Sequence, residues 1–434
     1  MRLPQDIPLS VTAGEQMTDK MKILTISDNP YSPSGVGMQT RYMIEGLLDT
    51  GNYNFISLGG AIRHADYRPI RQEKYGEDWV TYPVDEFGTP EVIRALLANE
   101  KPDAVWIMTD PRFWEWLWMM ENEIRANVPL VYYHVWDNYP YPKFNKFYYD
   151  SNDVVVSISK LTNDIVANVS PGVELHHIPH SVPTDIFYKR EPVDSQVSDF
   201  KKNIGDKVVF FWNNRNARRK HSGTLIFWFK EFLDMVGRDK AMLIMHTEPG
   251  DPHGQDLEAI LGELGLLNGE VMLSTEKVGL EKLADLYNIA DCTINISDAE
   301  GFGLGTLESL ACETPIIVTM TGGLQEQVTD GSEWFGVGLE PSAKAVIGSQ
   351  QVPYIYEDRV SKEDFLNAIN KIYSMTAEER AELGRKGREH VLTNYGFDDY
   401  KKKWDDLFKS IKENHGSWEA RKGYKSWEFK EIAA

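Results

Sequence analysis

The chain alternates short apolar runs with longer segments of helical period. The first run, Lys22–Ser27, leads into the small-residue loop Asn29–Gly37 and then a helical pattern over Met38–Leu48. Strand-like runs recur at Tyr53–Leu58, Ala104–Met108, Pro129–His134, Val154–Ser157 and Leu175–Ile178, with helical patterns over Pro90–Asn99 and Lys160–Val169. Residues 189–206 turn polar and charged and read as a linker with a short helix. The pattern then restarts. Strands are predicted at Lys207–Trp212, Met242–His246, Cys292–Ile296 and Pro315–Val318. Helices fill the gaps at His221–Val236, Gln255–Leu264, Leu280–Ala290, Leu304–Ala311 and Gly323–Val328. Thr376 with Glu379 forms a capping box that opens a late helix, and Ser361 with Asp364 resembles one. Strands alternating with helices imply βαβ units and parallel sheets. The expected fold class is α/β, with two Rossmann-like, doubly wound domains facing across a cleft. The expected bounds are a loose leader at 1–20, a first domain at 21–195, a second at 200–395, and a C-terminal helix and tail at 396–434 packing back on the first domain.

Composition narrows the class. The chain has 434 residues, 42% hydrophobic and 26% charged, which fits a globular protein rather than a disordered or fibrous one. Its formal charge is -20. Residues 1–200 carry 17 basic and 28 acidic groups, residues 201–400 carry 20 and 32, and residues 401–434 carry 9 and 6, so only the tail is net basic. Such a chain does not bind polyanions non-specifically, although a local basic site stays open. Its only cysteines are Cys292 and Cys312, which excludes a disulfide scaffold and a CxxC zinc site and fits a cytoplasmic protein. No run of 18 apolar residues occurs, so no integral membrane segment is expected. The polar first twenty residues do not read as a signal peptide.

Ligands of doubly wound sheets lie at the carboxyl ends of strands, which is where candidate chemistry is sought. The segment Asp298–Glu308 follows a strand and opens a helix. Gly301, Gly303 and Gly305 allow close approach of a ligand, and free N–H groups near Leu304 suit a phosphate. Glu308, expected in the first helical turn, can accept two vicinal hydroxyls, and Glu300 can reach another part of the same ligand. The alternative is a glycine-rich turn with two solvated acids. Arg215, Arg218, Arg219 and Lys220 put four cations in six residues, expected to make a local positive field that holds a diphosphate. A solvated basic loop is the alternative. Gly35 and Gly37 lie in a small-residue loop at a helix start, short of a full GxGxxG. His134 ends a strand and is expected to face the cleft, with Asp137 and Asn138 close behind. His176, His177 and His180, with Asp185 beyond, need converging ligands to hold a metal, and no metal is expected there. His246 and Glu248 end a strand and can touch a ligand or cap a loop. The aromatic stretch Phe113–Trp118 reads as core or lid, with stacking on an acceptor as the alternative. Trp418, Tyr424, Trp427 and Phe429 sit among basic residues in the tail. A helix packing on the body and a single-strand binder are its two readings.

Together these segments resemble the family 4 retaining glycosyltransferases of the glycosyltransferase-B fold, over about Lys22 to Leu407. The resemblance is most specific at Leu286–Asp291, Asp298–Leu304 and Glu308–Pro315, where Glu300 and Glu308 repeat the family's paired acids. It implies that Glu300 contacts the donor sugar, that Glu308 binds the ribose, and that Arg215 and Lys220 hold the donor diphosphate. Gly35 and Gly37 would underlie the phosphates, His134 would lie beside the transferred sugar, and Phe302, Gly303 and Leu304 would contact the donor. His221, Gly305, Glu313 and Pro183 depart from the family's usual residues, and none removes a charged group. The implied function is retaining transfer of a hexose from a nucleotide-diphosphate sugar, UDP-glucose before GDP-mannose, to a hydroxyl of a glycan or lipid-linked glycan. No cofactor or metal is implied. A virus-type enzyme glycosylating a modified nucleobase in DNA is one alternative. A sugar-nucleotide epimerase or non-catalytic sugar-nucleotide binding protein is another.

Overall fold

The computed structural model describes residues 20–427. Most of the expected leader, and the tail from residue 428 with Phe429, lie outside the described residues. The first sheet contains β1 (Met21–Asp28), β2 (Tyr53–Gly60), β3 (Ile70–Arg71), β4 (Trp79–Pro83), β5 (Ala104–Met108), β6 (Leu130–His134), β7 (Val154–Ser157) and β8 (Glu174–His177). Their order is β3-β4-β2-β1-β5-β6-β7-β8, and all neighbours are parallel except β3 with β4. The second sheet contains β9 (Val208–Asn213), β10 (Ala241–His246), β11 (Val271–Ser274), β12 (Cys292–Asn295), β13 (Ile316–Thr319) and β14 (Gly336–Leu339). It is wholly parallel, in the order β11-β10-β9-β12-β13-β14. An antiparallel hairpin, β15 (Ala343–Ile347) with β16 (Ile355–Arg359), stands apart from both sheets. Strand order reverses between β1 and β5 and again between β9 and β12. Those reversals open a crevice at the carboxyl ends of the strands.

Buried β-branched and aromatic side chains fill the strands, and amphipathic helices cover them. Ile23, Phe55, Trp106 and Tyr133 lie on one face of the first sheet, while Leu24, Val105 and Tyr132 lie on the other. The helix Phe397–Asn414 packs on the helix Gly35–Leu48 and adds to the first domain's core. Its Trp404 is fully buried, 4.9 Å from the ring of Tyr133 and 5.9 Å from Trp106. The tail continues along that domain. Trp418 Nε1 donates to the Pro102 carbonyl at 2.9 Å, and Arg421 pairs with Asp153 at 2.6 Å. Trp114 and Trp118 are core residues packed around Tyr132, whereas Phe113 is 60% exposed. The helix Ala377–Asn394 opens with the capping box of Thr376 and Glu379.

The hydrophobic pattern does not reveal β4, β11, β14 or the hairpin. β11 and β14 are the two edges of the second sheet, and the hairpin pairs a mostly exposed β15 with a half-buried β16, so neither burial nor alternation marks them.

Candidate active site

The two switch points face each other around a cavity of about 390 Å³. Met108 at the end of β5, Asn214 just past β9 and Asn295 at the end of β12 line it. Gly35, Asp137, Lys220, Glu300, Phe302, Gly303 and Leu304, all singled out from the sequence, line it as well. His134, Gly37, Arg215 and Glu308 do not.

Two helix starts meet across this cavity. Ser34 caps the first helix, its Oγ accepting from the Gly37 amide at 3.0 Å. The helix begins at Gly35, so Gly35 and Gly37 occupy its first turn rather than the loop before it. A Cβ on Gly37 would stand 2.6 Å from the Asn29 carbonyl oxygen, which only glycine avoids. A Cβ on Gly35 would meet Leu304 Cδ1 of the other domain at 3.1 Å. Leu304 starts the helix Leu304–Ala311, and Gly303 before it takes φ +92, a left-handed conformation that favours glycine. The unpaired amides of both helix starts give a positive lining suited to an anion.

The basic loop meets the acidic loop here. Lys220 is buried and ion-paired with Glu300. The Arg219 guanidinium donates to the Ala299 carbonyl at 2.5 Å, and the Asp298 amide donates to the Arg219 carbonyl at 2.9 Å. The Glu300 carbonyl accepts from the Gly323 amide at 3.1 Å. Burial alone would raise the Glu300 carboxyl, but Lys220 and Arg219 overcome it and hold it below its ordinary value. Burial pulls Lys220 down to about 8, against the attraction of Glu300. The pair is therefore charged at neutral pH. Burial pushes Asp137 up to about 6; Arg219 opposes the shift and Glu300 adds to it.

Several expectations are corrected by this geometry. The loop does not present four free cations, because Arg215 pairs with Asp251 at 2.6 Å, Arg218 with Glu357, and Lys220 with Glu300. Arg215 also touches His253 and is not among the residues lining this cavity. His134 does not face the cleft. Strand alternation puts it on the Tyr132 side of β6, fully buried, with Nε2 2.8 Å from the Tyr149 hydroxyl. Burial, with Arg112 nearby, drives it down to about 3, so it stays neutral. Glu308 is the fifth residue of its helix rather than in the first turn. It lies buried beneath Tyr287, whose hydroxyl donates to it at 2.7 Å, and burial raises it to about 7 despite that bond. Phe302 is mainly a packing residue, 5.2 Å from the ring of His180 and 5.7 Å from that of Tyr395. His176 pairs with Glu174 at 2.8 Å and Asp185 is exposed, so the histidine group does not converge. Among the described residues no three His, Cys, Asp or Glu side chains form a metal-holding group. His246 bonds the Ser274 hydroxyl at 2.9 Å and does not line the cavity.

Residues 250–390 match the family model described as glycosyl transferases group 1. The chain is 29% identical over 187 residues to a GDP-mannose-dependent alpha-(1-6)-phosphatidylinositol monomannoside mannosyltransferase from Mycolicibacterium smegmatis, covering 41% of this chain and 47% of that one. It is 34% identical over 205 residues to a D-inositol 3-phosphate glycosyltransferase from Catenulispora acidiphila, covering 44% of each. The chain thus spans about half the length of the curated relatives it matches. In three dimensions it is similar to the sucrose-phosphate synthase of Thermosynechococcus elongatus, with a TM-score of 0.72 over 90% of this chain and 99% of that one, at 17% identity. The chain has the glycosyltransferase-B fold. The resemblance to glycosyltransferases read from the sequence is thereby matched by sequence relatives and by architecture.

Within this glycosyltransferase-B fold the cavity also takes residues that the motifs did not single out as ligands. Arg219 was visible only as part of a basic run. Asn214 and Asn295 carry no pattern beyond ending a strand. His180 comes from the Pro179-His180-Ser181 segment and reaches the cavity with Nδ1 2.8 Å from the Tyr133 hydroxyl. Among the described residues no helix is long and apolar enough to cross a membrane. Both cysteines are buried and free.

Proposed function

We propose that this protein is a retaining glycosyltransferase. It would move a hexose from a nucleotide-diphosphate sugar to a hydroxyl of a glycan or lipid-linked glycan, without a metal, in the cytoplasm. The observation that carries the reading is one cavity in which Lys220 and Arg219 face two apposed helix starts, with Glu300 and Asp137 beside them. Cations and helix amides suit a diphosphate, and the carboxyls suit sugar hydroxyls. UDP-glucose is the first donor to test and GDP-mannose the second. The GDP-mannose-dependent relative from Mycolicibacterium smegmatis supports keeping the latter.

In this reading the acceptor oxygen bonds to the anomeric carbon on the face the diphosphate leaves. The bond from that carbon to the phosphate oxygen breaks, and the acceptor proton passes to the leaving phosphate. Lys220, Arg219 and the helix amides meet the negative charge that grows on the leaving group. Glu300 sits where it favours positive charge developing on the sugar.

The test is a donor panel read by thermal shift, followed by transfer assays in excess chelator. Binding of a nucleotide sugar and full activity with chelator are expected. Loss of all activity in chelator would sink the metal-free part. Interconversion of the nucleotide sugar without any acceptor would point to an epimerase.

A further inference from the structure

A second cavity of about 1030 Å³ adjoins the first, and Ser34 lines both. Its lining includes Asp28, the last residue of β1, next to the first switch point. Asp28 is 9% exposed and accepts from the Ser34 hydroxyl at 2.6 Å. Among the described residues no lysine or arginine pairs with it. An ionised carboxylate has about four lone-pair sites, and a single hydroxyl leaves most of them unfilled. Burying such a group costs stability, and burial raises its pKa despite the Ser34 bond.

The walls are apolar where the floor is polar. Phe87 and Phe113 stack with their ring centroids 5.5 Å apart, and Phe113 remains 60% exposed. Ile62 is 41% exposed on the same cavity. Of the three arginines present, Arg112 is committed to Asp110, Asn145 and the Gln351 carbonyl, and Arg215 to Asp251. Arg63 is offset by the exposed Asp85 and Glu86. The cavity therefore offers a hydrogen-bond acceptor at its base and a flat apolar face above, without net positive charge. That combination fits a ring with hydroxyls on its edge and C–H groups on its face. It does not fit a nucleic acid strand, which needs cations along its phosphates.

We propose that Asp28 is an acceptor-binding residue that takes a hydroxyl of a carbohydrate ring lying against Phe113, beside the donor cavity. The proposal rests on the glycosyl-transfer reading. The experiment uses the full chain with UDP-glucose and GDP-mannose as donors. Methyl α- and β-hexopyranosides serve as acceptor probes, and a hydroxymethylcytosine oligonucleotide serves as the competing acceptor. Asp28→Asn and Phe113→Ala are compared with the unmodified protein.

Donor Kd should stay within about twofold, while kcat/KM for the best glycoside falls on the order of tenfold to a hundredfold in Asp28→Asn. Phe113→Ala should act mainly on the glycoside KM. Unchanged transfer in Asp28→Asn overturns the proposal. So does a donor Kd that weakens in parallel, because Asp28 would then act through Ser34 on the donor loop. A donor that binds but is transferred only to the oligonucleotide also overturns it. If no nucleotide sugar binds at all, the glycosyl-transfer reading itself fails and takes this one with it.

Discussion

At the residue scale the two acids of the motif behave differently because their surroundings differ. Glu300 is held ionised by Lys220 and Arg219, whereas Glu308 has only the Tyr287 hydroxyl and is raised to about 7. A carboxylate accepts from ribose hydroxyls and a carboxylic acid does so poorly. If Glu308 meets the donor ribose, as the resemblance implies, raising the pH through about 7 deprotonates it and should strengthen donor binding. Raising it past about 8 removes the Lys220 charge and should weaken it. Donor affinity is thus expected to peak between those values, measured by calorimetric titration across pH. Glu308→Gln should flatten the acidic limb; an unchanged profile would contradict the ribose role. His134 carries the opposite expectation. It is buried against Tyr149 away from the cavity, so His134→Ala should cost about 3 kcal/mol of stability by urea unfolding while donor Kd holds. Loss of donor binding in a folded His134→Ala would restore it to the site.

At the element scale the last helix decides the first domain's stability. Trp404 fills space between Trp106 and Tyr133, and Tyr53 of β2 donates to Asp405 of that helix at 2.6 Å. Trp404→Ala should cost about 3–5 kcal/mol, read from denaturant midpoints. A loss below about 1 kcal/mol would mean that the helix packs loosely. The helix itself was legible, because its apolar positions keep helical period. Packing on the first domain was expected, but the residues it meets were not legible, since that contact joins residues some 350 apart. The hairpin β15–β16 was illegible altogether. Its alternation is blurred by exposure, and its role comes from what it touches: Tyr356 donates to the Tyr139 carbonyl at 2.6 Å, and Tyr354 packs 5.1 Å from Phe144.

At the scale of the molecule the two sheets do not behave as beads on a linker. One hydrophobic cluster runs from Ile23 and Trp106 through Phe302 and Leu310 to Phe211 and Trp404. The hairpin adds a second bridge: Arg112 of the first domain donates to the Gln351 carbonyl at 3.0 Å, and Asn138 to the Tyr356 carbonyl at 2.8 Å. Heating should therefore give one calorimetric transition despite the two domains. Two separated peaks would show that the bridges are weak. The charge pattern also changes meaning at this scale. The basic loop of an acidic chain looked like a free positive field, yet each arginine or lysine that could supply it has a carboxylate or carbonyl within reach. A diphosphate must displace or share those partners, so its binding is an exchange of ion pairs and should weaken as salt rises.

The sequence by itself determined the α/β class, the parallel sheets, the glycine-rich helix starts and the presence of a basic loop and an acidic loop at strand ends. These depend on periodicity and on spacing between near neighbours, which backbone geometry converts directly into structure. Tertiary structure alone decided which side chains reach the cavity. His134 and Asp137 lie three residues apart at the end of one strand. Alternation and the docking of Tyr149 turned the first into the core, while the chain beyond β6 turned the second toward Lys220 and Glu300. The same holds for Glu308, whose depth is set by Tyr287, and for Asp28, whose exposure to a second cavity no local pattern records. Side-chain direction at a strand or helix end is fixed by packing partners far away in the chain, and that information exists only once the chain has folded.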